Sequence, residues 1–583
     1  MTQIKSVDPV SDGCARIHNE FITKQKTKFS YDDVKDCYKH FPFDKDTIDT
    51  LTGLIGGFYV FLDKAKEPPQ LGFNFRPIDV EHLFYDLKDQ HTQFGSYCFL
   101  TFFFYTNMTF YSVVHNGEQK IKVFDDTIDR SNINCEVTHI DGQQALKVIS
   151  EFAKDSVFAS RDLGVRFNIA LDLIARFPSF ALRSEIPKNS KITYTLKCDN
   201  KNEFDVKRSW NAFSNPTLLN KFNDSKSYFD NICNPTKGNE LPIPFRSMLR
   251  EVAKEFNDFN RILNPQDQSV IIIKNIDNFV SFFKINDFGV VKIFTEDPAK
   301  EFETIAILPD VIQGFKELAN TGVKKVVLDL SDNVGGYRSI ASFFNLLLFP
   351  NTYPSFDHDI RLSEQMRLAI AEQYRLATLD NIFRTNGYVN AKNHANFTSV
   401  DDFFGNNVYK RGGIKENYSN RFINDTLFNE MSQIIQKILV NPLPWKPDDY
   451  IILTDGLCGS SCALITEHAA EVNDVSTVAI GGLASNSLLS YSTYTGGMVA
   501  NSTQTFNSFG KLGLLNNTLM PKLFPLTGMA VSFTMDEVYS KIDPDEILEF
   551  AFRPADFRLF YDEKNIRNIS ILWSQAAALI GLK

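Results

Sequence analysis

Short apolar runs recur along the second half of the chain, and each ends in a polar or glycine-containing turn. Apolar runs of roughly four to eight residues that are bounded by turn signals are typical of buried strands. This pattern predicts strands at Ser269–Ile273, Gly289–Phe294, Val326–Leu330, Ile451–Leu453 and Thr477–Ile480. Helical spacing of apolar residues follows several of these runs, and strands that alternate with helices favour a mixed α/β fold.

The first half of the chain shows two other patterns. Apolar residues spaced for one face of a helix occur at Ile48, Leu51, Leu54, Ile55 and Phe58. They predict a helical segment at residues 1–65. After residue 131, apolar and polar residues alternate as they do in strands, and an Ile-Asp-Gly turn then precedes a helix predicted from Ala145 to Phe152.

The length of 583 residues corresponds to about three or four folding units of the usual size. A hydrophobic fraction of 43% and a charged fraction of 23% are those of an ordinary globular protein, so each unit has enough apolar residues for a core. We predict a helical N-terminal segment at 1–65, an N-terminal part at 66–130, a β-rich unit with an insertion at 131–265, and an α/β core at 266–583 with a lid-like insertion at 355–440.

The segment from Ile451 to Glu467 predicts a buried strand, a tight turn and a helix. Ser460 and Ser461 stand where this helix begins. Free N–H groups at a helix N-terminus favour developing negative charge, so a serine hydroxyl at this place is a candidate nucleophile. Serines are also common helix caps, and the segment alone leaves that structural role open.

A second segment has the same organisation. The strand Val326–Leu330 enters a turn that contains Gly335 and Gly336, and a helical pattern follows. Glycines at the end of a strand let backbone N–H groups approach a substrate closely, as an oxyanion hole requires. An ordinary strand-to-helix turn explains the glycines equally well when they are considered alone.

Together the two segments resemble the C-terminal processing, or tail-specific, serine peptidases of serine-peptidase family 41. In that family, a strand ending in Asp-Leu-Arg-x-Asn-x-Gly-Gly precedes a strand ending in Asp-x-x-Ser-Ala-Ser-Ala-Ser. Counting five residues on from Asp455 gives Ser460 as the nucleophile. The resemblance implies a serine-type endopeptidase with a mixed α/β, ClpP/crotonase-like core, which forms an acyl-enzyme and has an oxyanion hole of backbone N–H groups near Gly335, Gly336 and Ser461.

The general base separates the branches of this family. The usual base is a lysine about twenty-five residues after the serine, but Ser485 stands there and the next lysine is Lys511. The chain instead resembles the branch of the chlamydial protease-like activity factor and its fungal secreted relatives, whose base is the histidine of an Asp-x-His motif. The stretch from Asp89 to His91 matches this motif and implies His91 as the base, and imidazole titrates close to neutral pH.

Two further features fit this branch. Cys458 and Cys462 flank the serine, as cysteines do in the fungal members. They form either a local disulfide or two buried thiols. The alternating stretch and helix within residues 131–265 are similar to the PDZ-like domain of the relatives, in which an exposed sheet edge takes an added peptide strand.

A third group is expected to orient the imidazole and stabilise its charged form, as a carboxylate does in serine triads. In the chlamydial relative a glutamate near the chain end has this role, ahead of a segment similar to the one from Pro554 to Arg558. Counting back from that segment implies Glu546 or Asp545. The alternative is that these carboxylates belong to a solvated acidic run with Glu549.

Charge and composition restrict the partners. A formal net charge of −10 without a cluster of lysines and arginines argues against nucleic-acid binding. The implied mechanism needs no cofactor and no metal, and no stretch of about 20 apolar residues predicts a membrane span. Protein or peptide substrates are the expected partners, and a homo-oligomer is left open. The alternative function is an inactive pseudo-peptidase that binds peptides or another ligand.

Eight cysteines and several Asn-x-Ser/Thr sites indicate a disulfide-bonded, extracellular glycoprotein. The sites are at Asn107, Asn223, Asn396, Asn417, Asn424, Asn501, Asn516 and Asn568. The first residues lack the apolar core of a signal peptide. We therefore expect a secreted protein whose leader is absent from this sequence, with a cytoplasmic protein as the alternative.

Overall fold

The computed structural model describes residues 11–41, 45–60, 83–172, 179–199, 201–235, 269–276, 278–298, 304–377, 381–411, 413–424, 434, 438–486, 488–493 and 497–582. Residues 61–82 and 236–268, which include the ends of the predicted helical segment and of the predicted β-rich unit, lie outside the described residues. The described chain is a mixed α/β structure with several sheets and hydrophobic cores.

A seven-stranded sheet lies at the centre of the second half of the chain. Its strands, β1 to β7, are Val270–Ile276, Val280–Ile285, Phe288–Ile293, Lys325–Asp329, Tyr450–Thr454, Ser476–Ile480 and Phe557–Leu559. They lie side by side in this order, antiparallel from β1 to β3 and parallel from β3 to β7. The five strands predicted from apolar runs coincide with β1, β3, β4, β5 and β6, whereas β2 and β7 were not predicted.

Helices cover both faces of this sheet. One face packs in a core with the helices Thr304–Asn320, Arg338–Leu348 and Ser461–Glu467. The other face packs on Ile569–Ala577. Strands covered on both faces are apolar along their length, which explains the continuous runs of β4 and β5. Because parallel strands end at the same edge, the turns that follow β4 and β5 are neighbours.

A six-stranded sheet occupies the first half of the chain. Its strands are Met108–His115, Glu118–Asp126, Glu136–Ile140, Gln143–Gln144, Lys191–Lys197 and Phe204–Ser209. Helix Ala145–Asp155 begins where the Ile-Asp-Gly turn predicts it. The first two strands of this sheet precede residue 131, so the sheet crosses the boundary predicted there. Strands on either side of residue 131 pair with each other, although the sequence pattern changes at that residue.

The start and the end of the chain meet in a three-stranded sheet. Strand Gln93–Ser96 pairs with Met529–Thr534, which also pairs with Val499–Asn501. Both pairings are antiparallel. This sheet positions His91, which lies two residues before its first strand, against the body of the second half.

The predicted N-terminal helical segment contains the helices Gly13–Lys24, Tyr31–Tyr38 and Lys45–Phe58. It also contains a strand that was not predicted, in a four-stranded sheet of Lys28–Ser30, Asn211–Phe213, Phe103–Tyr105 and Leu182–Arg183. Short helices lie at Tyr97–Leu100, Arg130–Asn132, Leu163–Ala170, Pro216–Leu219, Ser225–Tyr228, Phe229–Cys233, Pro447–Asp449, His468–Val472 and Leu548–Phe550, and a longer one at Ser502–Leu512.

The predicted insertion at 355–440 contains both helices and strands within the described residues. Helices lie at Glu364–Leu376 and Val400–Phe404, and strands lie at His358–Ile360, Tyr388–Asn390, Asn407–Arg411, Ile414–Tyr418 and Phe422–Asn424. Strand His358–Ile360 pairs with Asp536–Val538 from the chain end. Apolar residues of this segment, such as Phe403 and Tyr418, share a buried core with Phe58 and Phe533. Much of the described part of this segment therefore packs in a hydrophobic core that it shares with the rest of the protein.

All eight cysteines are paired. The disulfides join Cys14 to Cys37, Cys98 to Cys233, Cys135 to Cys198 and Cys458 to Cys462. Such bonds persist mainly in oxidising compartments, which agrees with the expectation of an extracellular protein. Among the described residues, no helix has both the length and the apolarity to cross a membrane.

Candidate active site

Ser460 lies in a sharp turn between strand β5 and the helix Ser461–Glu467. Its backbone has φ 55° and ψ −124°, a conformation that L-residues rarely adopt. Side chains hold the turn, since the Thr454 Oγ1 accepts from the Gly456 N–H and the Asp455 carboxylate accepts from the Leu457 N–H, both at 3.0 Å. Strained serines between a strand and a helix expose their hydroxyl at the top of a sheet, as nucleophiles do.

The disulfide between Cys458 and Cys462 encloses the same turn. Both cysteines are fully buried in the core beneath the sheet edge. The structure thus has a local disulfide where the sequence allowed either a disulfide or two thiols. A covalent link across Ser460 restricts the movement of the turn that carries it.

His91 contacts Ser460 although the two residues are 369 positions apart. The Nε2 of His91 lies 2.9 Å from the Ser460 Oγ, and the His91 side chain is buried. In the neutral ring that carries its proton on Nδ1, Nε2 accepts the hydrogen bond from the serine hydroxyl. This is the geometry that a general base requires before it removes the proton of a nucleophile.

Asp89, the first residue of the Asp-x-His motif, stabilises the turn of residues 89–92, the histidine turn. Its buried carboxylate accepts from the His91 backbone N–H at 2.9 Å and from the Thr92 hydroxyl at 2.7 Å. The hydroxyls of Tyr59 and Thr534 also donate to it, at 3.3 Å and 3.2 Å. Sequence reasoning did not identify Tyr59 and Thr534, because only the three-dimensional contacts connect them to the motif.

The glycine turn after β4 packs directly on Ser460. A Cβ added to Gly335 would lie 2.6 Å from the Gly459 carbonyl oxygen and 2.7 Å from the Ser460 Cβ, and its φ of 95° is one that glycine favours. The Gly335 N–H already donates to the Asn333 Oδ1 at 2.9 Å. Gly335 therefore permits close approach of the two turns, but its N–H is engaged within the protein.

Two other backbone N–H groups remain available for an oxyanion. Within the described residues, the N–H groups of Gly336 and Ser461 have no hydrogen-bond acceptor. Ser461 is the first residue of its helix, where the N–H groups carry a partial positive charge. Of the three residues predicted to form the oxyanion hole, these two can supply donors.

The Ser461 side chain points into the protein rather than towards His91. It is 1% exposed, and its hydroxyl donates to the buried Glu296 carboxylate at 3.1 Å. That carboxylate also accepts from the Asn333 side-chain amide at 2.8 Å. Ser461 is thus occupied as a structural donor, which leaves Ser460 as the serine that faces an imidazole.

We expect Ser461→Ala to retain catalytic activity within about threefold, since the backbone N–H survives and a buried hydroxyl is lost from a structural bond. The free energy of unfolding should fall by about 1–2 kcal/mol, as for the loss of a donor to a charged buried group. Peptide hydrolysis and urea unfolding of the purified variant measure the two quantities. An inactive but normally folded variant would instead assign the attack to Ser461.

The carboxylates predicted as the third group lie elsewhere. The Asp545 side chain is 98% exposed and 3.6 Å from Arg421. Glu546 forms an ion pair with Arg553 at 2.5 Å. Neither has a hydrogen bond or ion pair with His91. Arg553, seven residues later in the chain, engages Glu546.

Glu549 is a further buried carboxylate, and its charge acts on Tyr59, a hydrogen-bond partner of Asp89. Glu549 lies in the short helix Leu548–Phe550 and is 4% exposed. Burial and the charge of Asp89 raise the pKa of Tyr59, and the charge of Glu549 acts in the same direction. Because the Tyr59 hydroxyl donates to Asp89, Glu549 belongs to the buried polar cluster that surrounds the Asp-x-His motif.

A polar cleft of about 610 Å³ borders this cluster. Its walls include Lys88, which precedes the motif, and Glu549. They also include Thr493, whose N–H donates to the Cys458 carbonyl at 2.8 Å. The cleft therefore lies beside both turns, but His91 and Ser460 themselves are not among its lining residues.

Glu467 ends the helix that begins at the nucleophile turn and is a buried carboxylate with a raised pKa. Burial is the main cause, followed by the charge of Glu471, and together they raise the pKa from 4.5 to about 7. Hydrogen bonds from Ser492 and Tyr491 and the charge of Arg553 act in the opposite direction. Arg553 is shared with Glu471 and Glu546, so its charge offsets only part of the cost of burial.

A carboxyl group with a higher pKa in the folded than in the unfolded protein binds its proton more tightly when folded. The contribution of Glu467 to the free energy of unfolding should therefore decrease as the pH rises from about 4.5 to about 7, and then level off. Glu467→Gln should remove this dependence, shifting the difference from wild type by on the order of 2 kcal/mol between about pH 5 and about pH 8. Urea unfolding across this range tests it; a constant difference would contradict it.

No protein-family model matches the chain, and no curated protein matches it. Among solved structures, a CPAF point mutant has a TM-score of 0.50 and 12% identity, and the match covers 93% of this chain and 97% of that chain. Mature CPAF has a TM-score of 0.46 and 12% identity, with 97% of each chain covered. A family-41 protease structure from Bacteroides fragilis has a TM-score of 0.34 and 11% identity, covering 93% and 98%. The chain thus has a CPAF-like fold, and the resemblance drawn from its sequence is confirmed at the level of fold.

Proposed function

We propose that the protein is a serine-type endopeptidase in which Ser460 is the nucleophile and His91 the general base. The contact of 2.9 Å between the His91 Nε2 and the Ser460 Oγ carries this proposal. The strained backbone of Ser460 and the close packing of Gly335 on its turn support it. Structural caps do not explain this combination, since the Ser460 side chain caps no helical N–H group.

The reaction follows from the position of each group. His91 takes the proton of Ser460 as the serine attacks the peptide carbonyl carbon, and the N–H groups of Gly336 and Ser461 donate to the oxyanion. The imidazolium then gives its proton to the leaving amine, and the acyl-enzyme forms. Water, deprotonated by His91, attacks the acyl group, and the imidazolium returns the proton to the Ser460 Oγ as the second product leaves. Apart from water, the proposed steps use only side chains and backbone groups of the chain.

Glu549, rather than Glu546 or Asp545, is our candidate for the group that orients His91. It is buried, acidic and part of the polar cluster around the Asp-x-His motif. A carboxylate at this place favours the neutral ring with its proton on Nδ1 and stabilises the imidazolium that forms during attack. Asp89 instead fixes the backbone of the turn.

We further propose that the core is ClpP/crotonase-like and that the six-stranded sheet belongs to a PDZ-like domain. The parallel strands β3 to β7, with the site at their C-terminal edge, support the first assignment. The helix after the Ile-Asp-Gly turn supports the second. Four disulfides and exposed Asn-x-Thr sites at Asn396 and Asn516 favour a secreted glycoprotein.

Labelling with a fluorophosphonate probe tests the proposed function, because such probes react with activated serines and need no knowledge of the substrate. We expect labelling of the purified chain, with the adduct mapped to Ser460 by peptide mass analysis. Ser461→Ala is the matched control and should still be labelled. Absence of labelling in the intact chain and after limited proteolysis would favour a pseudo-peptidase that only binds its ligands.

A further inference from the structure

A buried histidine and aspartate and a partly exposed arginine lie in contact beside the glycine turn. The His358 Nδ1 lies 3.0 Å from the Asp536 carboxylate, and both side chains are 1% exposed. On the other side of the ring, the His358 Nε2 lies 2.6 Å from an Nη2 of Arg338. The mechanism proposed above uses none of these residues.

The contact with Arg338 determines which ring nitrogen of His358 carries the proton. A guanidinium can only donate, so the His358 Nε2 must accept, and the neutral ring then carries its proton on Nδ1, the nitrogen 3.0 Å from the Asp536 carboxylate. Burial and the charge of Arg338 lower the pKa of His358, which agrees with a neutral ring. The ring thus anchors one N–H of Arg338 in a defined direction. Asp536 also accepts from the Met498 N–H.

Arg338 is the first residue of the helix Arg338–Leu348 and lies two positions after Gly336. It is partly exposed, and within the described residues its guanidinium has no hydrogen bond other than the one to His358. A guanidinium carries five N–H donors, so most of its donors are open to a ligand. The buried pair of His358 and Asp536 holds one edge of the half-exposed Arg338 guanidinium. The other edge is thereby open to a ligand.

We propose that Arg338 binds a carboxylate of the peptide substrate close to the scissile bond, on the side of the glycine turn. This inference rests on the proposed peptidase function and assigns it a preference for acidic peptides. Arginine pairs with carboxylates through two parallel hydrogen bonds, which gives both affinity and direction. The carboxylate comes either from an Asp or Glu side chain or from the C-terminus of the substrate.

Matched peptides test this preference. A series that places Glu or Gln in turn at each position around a cleavage site measures the ratio of kcat/KM for acid over amide. A second pair with a free or an amidated C-terminus distinguishes the two sources of the carboxylate. We expect one position, or the free C-terminus, to favour the acid about tenfold or more in the wild type, as charge-assisted hydrogen bonds do.

Arg338→Gln should reduce that ratio to about one, whereas Arg338→Lys should keep part of it, since the charge remains but the paired hydrogen bonds are lost. Arg375→Gln, which changes an exposed arginine paired with Glu372, is the control and should keep the wild-type ratio. A merely structural role would slow the cleavage of acid and amide peptides equally. A wild type that labels with fluorophosphonate but shows no acid preference, or a preference that survives Arg338→Gln, would overturn the inference without affecting the proposed function.

Discussion

Replacing His91 by alanine should lower kcat/KM for peptide hydrolysis by about 10⁴-fold or more, and Ser460→Ala should have an effect of at least this size. The reason is that the Ser460 hydroxyl is a weak nucleophile until the His91 Nε2, 2.9 Å away, takes its proton. Hydrolysis of a fluorogenic peptide selected by substrate profiling measures both losses. Near-ultraviolet circular dichroism and thermal melting verify that each variant is folded.

The double variant provides a sharper test than either single change. Nucleophile and base act as a unit, so His91→Ala combined with Ser460→Ala should cost no more than the larger single effect. Losses that multiply would show that the two residues act independently. Full activity of a folded His91→Ala variant would exclude the histidine as the base.

Glu549→Gln should lower kcat by about 10²- to 10⁴-fold, the range expected when a carboxylate that orients the catalytic imidazole is neutralised. Glutamine has nearly the same shape, but it lacks the charge that stabilises the imidazolium and can favour the wrong tautomer of His91. Because a neighbouring anion raises the pKa of an imidazole, the acidic limb of the pH–rate profile should also move to lower pH in this variant.

Matched changes separate Glu549 from the acidic residues around it. Asp545→Asn alters a side chain that is 98% exposed and should keep kcat within about twofold, as surface changes usually do. Glu546→Gln removes an ion pair with Arg553, so its effect should be on stability rather than on the pH–rate profile. A normal kcat for Glu549→Gln would contradict the proposal for Glu549. A loss confined to Glu546→Gln would show that Glu546, predicted from the sequence, orients His91.

Much of the seven-stranded sheet could be predicted from the local sequence, because apolar runs and turn residues indicate strands and turns within a few residues. The apolar runs of β4 and β5 and the small residues after them predict strands, turns and the place of Ser460 at a helix start. The strand β7 and the pairing across residue 131 could not be predicted in this way. Strand β7 has only three residues, which are too few for a recognisable apolar pattern. The pairing across residue 131 depends on partners that are distant in the chain.

The oxyanion hole shows the same limit at the level of single atoms. Glycines at 335 and 336 predict close approach of the backbone, and Gly335 indeed packs on Ser460. Which N–H groups are available depends on Asn333, whose side chain accepts from Gly335. The sequence contains no signal for that bond, since an Asn two residues before a glycine occurs in many turns.

The amino-acid sequence by itself determined the elements that present Ser460 and the Asp-x-His motif that contains His91, because both depend on neighbouring residues and on residue chemistry. Only the tertiary structure decided which groups meet. It placed His91 on Ser460 through the pairing of Gln93–Ser96 with Met529–Thr534. It also buried Glu549 while Arg553 engaged Glu546. Burial and long-range pairing determine the environment of a carboxylate, and neither is encoded in the few residues on either side of it.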